Sequence, residues 1–194
     1  HLSLQDGKSR LGLGRPRGGL LLVSENGDME WNELGDESPV TCGVDGRSSQ
    51  IYGHANGSIS RWNGTTATLL DSRERTIENI TCTPTGLLLG LENGFVEALD
   101  EDGGEIWSRQ FEGTIISSET GMEISSTPCV WLQYRSAKGG GTVVCSASDG
   151  KEIAEFKFSC SPTAFTHSDK FAVVAIENGS IFVIEDTKNS TFFF

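Results

Sequence analysis

Hydrophobic residues recur in short runs along the chain, and turn-forming residues separate one run from the next. Residues 20–23 (LLLV), 87–91 (LLLGL) and 171–176 (FAVVAI) show the pattern most clearly. No helical period of 3.6 is sustained, and the longest apolar run, 171–176, falls far short of the ~20 residues that cross a bilayer. The pattern predicts short β-strands joined by turns, and no membrane span.

A short turn motif follows four of these runs. Glu-Asn-Gly occupies residues 25–27, 92–94 and 177–179, and Ala-Asn-Gly occupies residues 55–57. Asn-Gly between two apolar segments is the strongest local signal for a β-hairpin, because a type I′ turn needs a positive φ at both central positions. The motif therefore predicts four hairpins with type I′ turns.

The hairpins recur with a fixed period. Residues 94–106 align without a gap on residues 141–153, which adds a fifth copy and puts the repeated glycines at 27, 57, 94, 141 and 179. Their mean spacing of 38 residues is close to the ~40 residues of a four-stranded propeller blade. The sequence predicts an all-β fold, a β-propeller of four-stranded antiparallel blades, with about five blades in this chain.

Approximate blade boundaries follow from this alignment. Segments around Cys42, Cys82 and Cys160 precede hairpins and are predicted to be inner strands, while residues 1–17 form a basic N-terminal arm or a partial first strand. The predicted blades are 18–37, 38–72, 77–111, 113–157 and 158–194. Propellers have typically 4–8 blades, so a closed ring and a segment of a larger ring both stay open. A segment needs further sequence or another chain to complete the ring.

One unit resembles a known repeat family. Residues 86–108 are similar to a blade of the pyrroloquinoline-quinone-type propellers in the residues 88–91, Gly94, 98–100, Gly104 and Trp107. Trp31 and Trp62 are predicted to lie on middle strands, as in the looser WD-repeat propellers. The resemblance implies a propeller, but fold membership does not supply an activity. Quinone-dependent members carry an adjacent cysteine pair and a calcium site in a much longer chain, and no adjacent pair occurs here, so we expect no cofactor.

Charge is distributed unevenly along the chain. It has 27 acidic and 15 basic side chains, a net charge of −12, yet residues 1–17 carry +3 and the remainder −15. Binding to nucleic acid requires clustered basic residues, which this acidic body lacks. We expect a protein partner, with a basic one favoured by the charge, and no nucleic acid.

Cysteines and glycosylation motifs point to different compartments. Five widely spaced cysteines form no Cys-x-x-Cys pair, and an odd number fits a reducing compartment better than a disulfide-stabilised secreted domain. Five Asn-x-Ser/Thr triplets, at Asn56, Asn63, Asn79, Asn178 and Asn189, are more than chance supplies and favour an extracytoplasmic location. We expect a cytoplasmic protein, and the extracytoplasmic alternative stays open.

The residues that carry catalytic chemistry are sparse. Of three histidines, His54 and His167 precede turns, and neither pairs in sequence with a nucleophile and a carboxylate. The run from Asp100 to Gly104 resembles part of a calcium loop but lacks the flanking helices, so we interpret it as a turn. The repeated cysteines are interpreted as small buried hydrophobic residues rather than as a metal site. We expect no catalytic residues and no metal.

These observations favour a non-catalytic interaction scaffold that presents the loops of an acidic propeller to a partner. The candidate partner-binding residues are Asp45, Arg47, Thr83, Thr85, Arg135, Lys138, His167 and Asp169. Two alternatives stay open. One is an enzyme with a small molecule or metal in the central channel, related to the quinoprotein folds. The other is an extracytoplasmic assembly or adhesion domain.

Overall fold

Twenty strands form five separate antiparallel sheets in the part of the chain that the structure describes. This computed structural model describes residues 2–5, 8–14, 16–32, 34, 37–46, 49–124, 126–168, 170–185 and 191–193. Each sheet has four strands in chain order, so every strand pairs with the one that precedes or follows it. No helix among the described residues is long and apolar enough to cross a membrane.

The strands are distributed evenly among the five blades. Blade 1 contains β1 (Leu2–Gln5), β2 (Lys8–Gly14), β3 (Leu20–Ser24) and β4 (Met29–Asn32). Blade 2 contains β5 (Val40–Asp45), β6 (Gln50–His54), β7 (Ser58–Trp62) and β8 (Ala67–Ser72). Blade 3 contains β9 (Ile77–Thr83), β10 (Gly86–Leu91), β11 (Phe95–Leu99) and β12 (Glu105–Gln110). Blade 4 contains β13 (Thr114–Ile124), β14 (Thr127–Ser136), β15 (Gly139–Ser146) and β16 (Glu152–Phe158). Blade 5 contains β17 (Pro162–His167), β18 (Phe171–Ile176), β19 (Ile181–Glu185) and β20 (Thr191–Phe193).

Hydroxyl groups connect the first strands of neighbouring blades. The hydroxyl of Thr41 on β5 donates to the carbonyl of Ile77 on β9, and that of Thr81 donates to the carbonyl of Ser118 on β13 at 2.7 Å. These bonds hold β5, β9 and β13 side by side, as inner strands around a common axis. The predicted all-β propeller of four-stranded blades is confirmed.

Hydrophobic clusters fill the spaces between adjacent blades. Residues on the two sides of the middle strands alternate, so that Leu89 and Leu91 pack towards blade 2 while Leu88 and Val96 pack towards blade 4. Four such clusters join blades 1 and 2, 2 and 3, 3 and 4, and 4 and 5. Among the residues whose side chains are described, no cluster joins blade 5 to blade 1. The five blades therefore form an open arc, a partial ring.

The Asn-Gly turns lie between strands as predicted, but their geometry differs. Only Asn93 and Gly94 both have positive φ, at 64° and 76°. At the other three turns only the glycine is positive, and the expected type I′ geometry is wrong there. A three-residue loop that ends in a left-handed glycine replaces it. At Asn56 the reason is local, because its side-chain oxygen accepts bonds from the amide and the hydroxyl of Ser58.

Two copies of the repeat are shifted relative to the sequence alignment. The turn at 25–27 joins the third and fourth strands of its blade, because residues 2–14 contribute the first two strands. These residues lie within the interval 1–17, which was interpreted as an arm or a partial first strand. For the same reason Trp31 lies on the outer strand β4, and its predicted position on a middle strand is wrong. In blade 4 the turn lies between Ser136 and Gly139, whereas Gly141 pairs with Tyr134 inside β15. A gapless alignment missed this shift because β14 and β15 are longer than their counterparts.

Candidate functional site

The loops of the propeller lie on two opposite faces, because consecutive strands run in opposite directions. We define the lower face by the turns that join the first to the second strand and the third to the fourth strand of each blade. The upper face contains the turns between second and third strands and the connections between blades. Backbone bonds link the loops of the upper face, such as that from the amide of Phe111 to the carbonyl of Gly94 at 2.9 Å.

The candidate partner-binding residues divide between these faces. Asp45, Thr83, Thr85 and His167 lie at first-to-second turns of the lower face. Arg135 and Lys138 lie at the second-to-third turn of blade 4, on the upper face. Arg47 and Asp169 lie outside the described residues. The structure brings Asp45 and Thr83 together on one groove, and it separates both from Arg135 and Lys138.

A groove of about 570 Å³ opens on the lower face between blades 2 and 3. We call it the lower-face groove. Its walls are the first turns of blades 2 and 3 and the third-to-fourth turn of blade 3. It is lined by Asp45, Gly46, Ser49, Ile51, Arg61, Cys82, Thr83, Gly86, Leu87, Glu101 and Asp102.

Contacts between the two blades define the shape of this groove. The thiol of Cys82 donates to the main-chain oxygen of Asp45 at 3.3 Å, which ties the two inner strands together. Farther from the axis, Arg61 Nη2 donates to the main-chain oxygen of Glu101 at 3.4 Å. The floor is apolar, since Ile51 and Leu87 belong to the hydrophobic cluster between blades 2 and 3. The groove therefore rests on packed strands rather than on loops alone.

The rim of the lower-face groove is acidic. Among the described residues that line it, the carboxylates of Asp45, Glu101 and Asp102 stand against the one cation of Arg61. Burial raises the pKa of Asp45, and the hydrogen bond from Gln50 Nε2 to its carboxylate, at 3.3 Å, opposes that shift. An apolar floor below an acidic rim suits a long basic side chain, whose methylenes lie on the floor while its charge stays at the rim.

Three of the cysteines are partly or fully buried and are poor nucleophiles. Burial raises the pKa of the Cys42 thiol to about 11 and that of the Cys145 thiol to about 12. Burial, and secondarily the charge of Asp45, also raises the pKa of Cys82. Because the thiolate is the reactive form, these thiols are largely unreactive at neutral pH. Within the described residues, no three His, Cys, Asp or Glu side chains are grouped so that they could hold a metal ion.

A smaller depression on the upper face contains a pair of charges that are engaged with each other. It has a volume of about 240 Å³ and contains Lys138, one of the candidate residues. The hydroxyl of Tyr134 donates to the Glu155 carboxylate at 2.9 Å, and Lys157 lies 3.1 Å from the same carboxylate. Burial, together with Glu155, raises the pKa of Tyr134 to about 12.

The two internal histidines serve structural contacts. His54, interpreted from the sequence as a surface or turn residue, is fully buried, with Nε2 2.9 Å from the Ser60 hydroxyl. His167 Nε2 lies 3.7 Å from the Glu119 carboxylate, and its ring occupies the space that a Cβ at Gly121 would need. Burial raises the pKa of Glu119, and His167 opposes that shift. His167 thus connects the inner strands of blades 4 and 5.

The structure adds groove residues that the sequence analysis did not select. Arg61 lies on a middle strand of blade 2, while Glu101 and Asp102 belong to the segment interpreted only as a turn. That interpretation is correct for the backbone, since the Asp100 side chain accepts bonds from the amides of Asp102 and Gly104. The excess of acidic residues in this turn was the one signal in the sequence that indicated a site. That the turn lies beside Arg61 of blade 2 is visible only in the fold.

Comparison with known proteins identifies the fold alone. No family model and no curated protein matches the chain. A chain of the Mitotic Checkpoint Complex is 11% identical with a TM-score of 0.78, over 100% of this chain and 64% of that one. Sqt1 of Saccharomyces cerevisiae is 13% identical with a TM-score of 0.76, over 94% and 56%. The designed protein Ika8 is 19% identical with a TM-score of 0.73, over 95% and 57%. The chain thus spans 56% to 64% of the length of these three chains, as expected for a partial ring.

Proposed function

We propose that this protein is a non-catalytic interaction scaffold that binds a basic segment of another protein in the lower-face groove. The groove itself is the observation that carries the proposal. It combines about 570 Å³ of space with an apolar floor and three carboxylates on its rim. The net charge of −12 adds a long-range field that accelerates the approach of a basic partner.

The solved propellers support a protein as the partner class. One similar structure, BBS1N at 13% identity and a TM-score of 0.72, was crystallised in complex with ARL6DN. Another is a chain of the Mitotic Checkpoint Complex. These contacts belong to those proteins, and for this chain they support only the general mode of action, in which loops on a rigid scaffold bind a protein.

Completion of the ring belongs to the same proposal. The chain covers 57% of the designed protein Ika8 and 64% of the matched chain of the Mitotic Checkpoint Complex, and its blades form an open arc. We therefore propose that further sequence or another chain supplies the remaining blades.

We also propose that blade 3 derives from a quinoprotein-type repeat. The contact of Trp107 with the next blade supports this, because its indole nitrogen donates to the carbonyl of Ala147 at 3.1 Å.

For the location we propose the cytoplasm, which the odd number of cysteines, five without a Cys-x-x-Cys pair, supports. The Asn79 motif is a poor glycosylation site, because its side-chain oxygen accepts a hydrogen bond from Ser118. Intact mass of native material before and after glycosidase treatment tests the location. A loss of mass would contradict it.

Titration calorimetry with a lysine-rich peptide tests the groove. We expect Asp102→Asn to weaken binding about three- to tenfold at low salt. The attraction between one rim carboxylate and a lysine of the peptide contributes roughly 1 kcal/mol in a partly solvated site. Glu112→Gln is the matched control, since Glu112 is exposed on the upper face and loses the same charge. Equal weakening by both variants would mean that the peptide responds to net charge and not to the groove. Affinity that does not change with ionic strength would contradict the electrostatic mechanism.

A further inference from the structure

The first blade exposes an apolar sheet surface on the side turned away from blade 2. On β3, Leu20 and Leu22 pack against blade 2, so Leu21 and Val23 point the other way. The strand register aligns them with neighbours that also face away. This first end face consists of Leu13, Leu21, Val23, Met29 and Trp31. Met29 has 71% of its surface exposed.

The fifth blade has a corresponding surface at the other end of the arc. Ala172, Val174 and Ile176 of β18 pack against blade 4, and the residues that alternate with them face away from it. This fifth end face consists of Phe171, Val173, Ala175, Ile181 and Val183. All five residues are apolar, as are all five of the first end face.

An internal comparison shows what the fifth end face is built to contact. In the repeat, Ile181 and Val183 correspond to Val96 and Ala98 of blade 3. Val96 and Ala98 are buried because blade 4 packs on them. Ile181 is 49% exposed, whereas Val96 is 0% exposed. Equivalent positions are therefore buried where a following blade exists, and the fifth end face has the composition of a junction between blades.

Of the two ways of covering the end faces that are named above, we propose the second: the other chain is a second copy of this one, and its first end face binds the fifth end face, head to tail. At every internal junction the outgoing side of one blade packs against the incoming side of the next. The two end faces are the outgoing and the incoming side that lack such a neighbour among the described residues. They lie at opposite ends of the arc, so each meets its complement on another molecule. The contact is heterologous, since different surfaces of the two copies meet.

The number of blades determines what this contact produces. Two arcs of five blades contain ten, which exceeds the typical 4–8 blades of a closed ring. A head-to-tail dimer therefore keeps one uncovered face of each kind, and further copies add to it as the concentration rises. Open heterologous contacts give growing chains rather than closed oligomers.

Sedimentation velocity and light scattering on the whole chain, over about two decades of concentration, test this proposal. We expect the wild-type mass to rise beyond that of a dimer. Met29→Glu damages only the first end face, and Ile181→Glu damages only the fifth, so each variant alone should be monomeric. An equimolar mixture should form dimers and stop there, because one intact face of each kind is present in the mixture.

Leu69→Glu is the matched control, because Leu69 is a large exposed residue on the outer strand of blade 2, away from both end faces. It should associate as the wild type does. Thermal melts establish that the variants are folded, and Met29→Gln with Ile181→Thr replace any variant that is not.

Three outcomes would overturn the proposal: a wild type that is monomeric throughout, a mixture that stays monomeric, or a Met29→Glu protein that still dimerises. The last would mean that two fifth end faces bind each other. High salt should strengthen this apolar association and weaken peptide binding in the groove, so the failure of one proposal can be told from the failure of the other.

Discussion

Gly150 allows blade 3 to dock on blade 4. It lies in the third-to-fourth turn of blade 4 with φ +66°, and a Cβ there would lie 2.6 Å from two ring atoms of Trp107. Gly150→Ala therefore has two costs. The left-handed backbone costs about 1–2 kcal/mol for a residue with a Cβ. Displacement of the buried indole costs about 1–3 kcal/mol more.

Gly179→Ala isolates the first cost from the second. Gly179 has φ +87° in the turn of blade 5, and no atom lies within 4 Å of the position that its Cβ would occupy. We expect this variant to lose about 1–2 kcal/mol in the free energy of unfolding, whereas Gly150→Ala loses about 2–5 kcal/mol. Urea denaturation followed by far-ultraviolet circular dichroism measures both values.

A double-mutant cycle then assigns the difference to Trp107. In the background of Trp107→Leu the indole is absent, so the additional cost of Gly150→Ala should fall to that of Gly179→Ala. A coupling energy of about 1–3 kcal/mol is expected between the two positions. If Gly150→Ala and Gly179→Ala cost the same in the wild type, the indole does not depend on this glycine, and the docking argument is wrong.

Three further predictions concern ionisable groups. Arg73→Leu should destabilise the fold by about 1–3 kcal/mol, because Arg73 Nε lies 2.5 Å from the nearly buried carboxylate of Glu97, and a melt of the variant measures the loss. Burial alone would raise the pKa of Asp71, but hydrogen bonds from Arg73 and Ser72 lower this pKa overall. The contribution of Asp71 to the free energy of unfolding is therefore present above the ordinary pKa of an aspartate and is lost as the pH falls below that value. Asp71→Asn should destabilise the fold at pH 7 and have little effect in acid, and an equal loss at both pH values would contradict this. Alkylation of Cys82 in the folded protein should be slow at neutral pH and accelerate as the pH rises, because burial raises the pKa of its thiol, and mass spectrometry of the labelled peptide follows the rate.

The repeat made the blades predictable because every junction imposes the same alternation of apolar residues. Leu88 and Val173, or Val96 and Ile181, occupy equivalent positions because each belongs to the outgoing side of a blade. Local rules of this kind are visible in a single sequence. The strand positions of the first blade were not visible in this way, because the Asn-Gly turn of that blade falls one hairpin later than in the other blades.

The groove could be predicted only in part. Asp45 and Thr83 were selected as turn residues, and the fold does bring their turns together. Arg61 and Asp102 are far from both in sequence and meet them only because blades 2 and 3 are adjacent. The burial of His54 was missed for a similar reason, since its partners Ser38 and Ser60 belong to a connection and to another strand.

The open arc also determines the order in which the molecule loses structure. Each inner blade is stabilised by two junctions, whereas blades 1 and 5 have one junction each among the described residues. Stability in such a linear array is approximately a sum of nearest-neighbour terms, so it is lowest at the ends. Amide protons of β18 should therefore exchange with solvent faster than those of β10, and unfolding should proceed inwards along the arc towards blade 3.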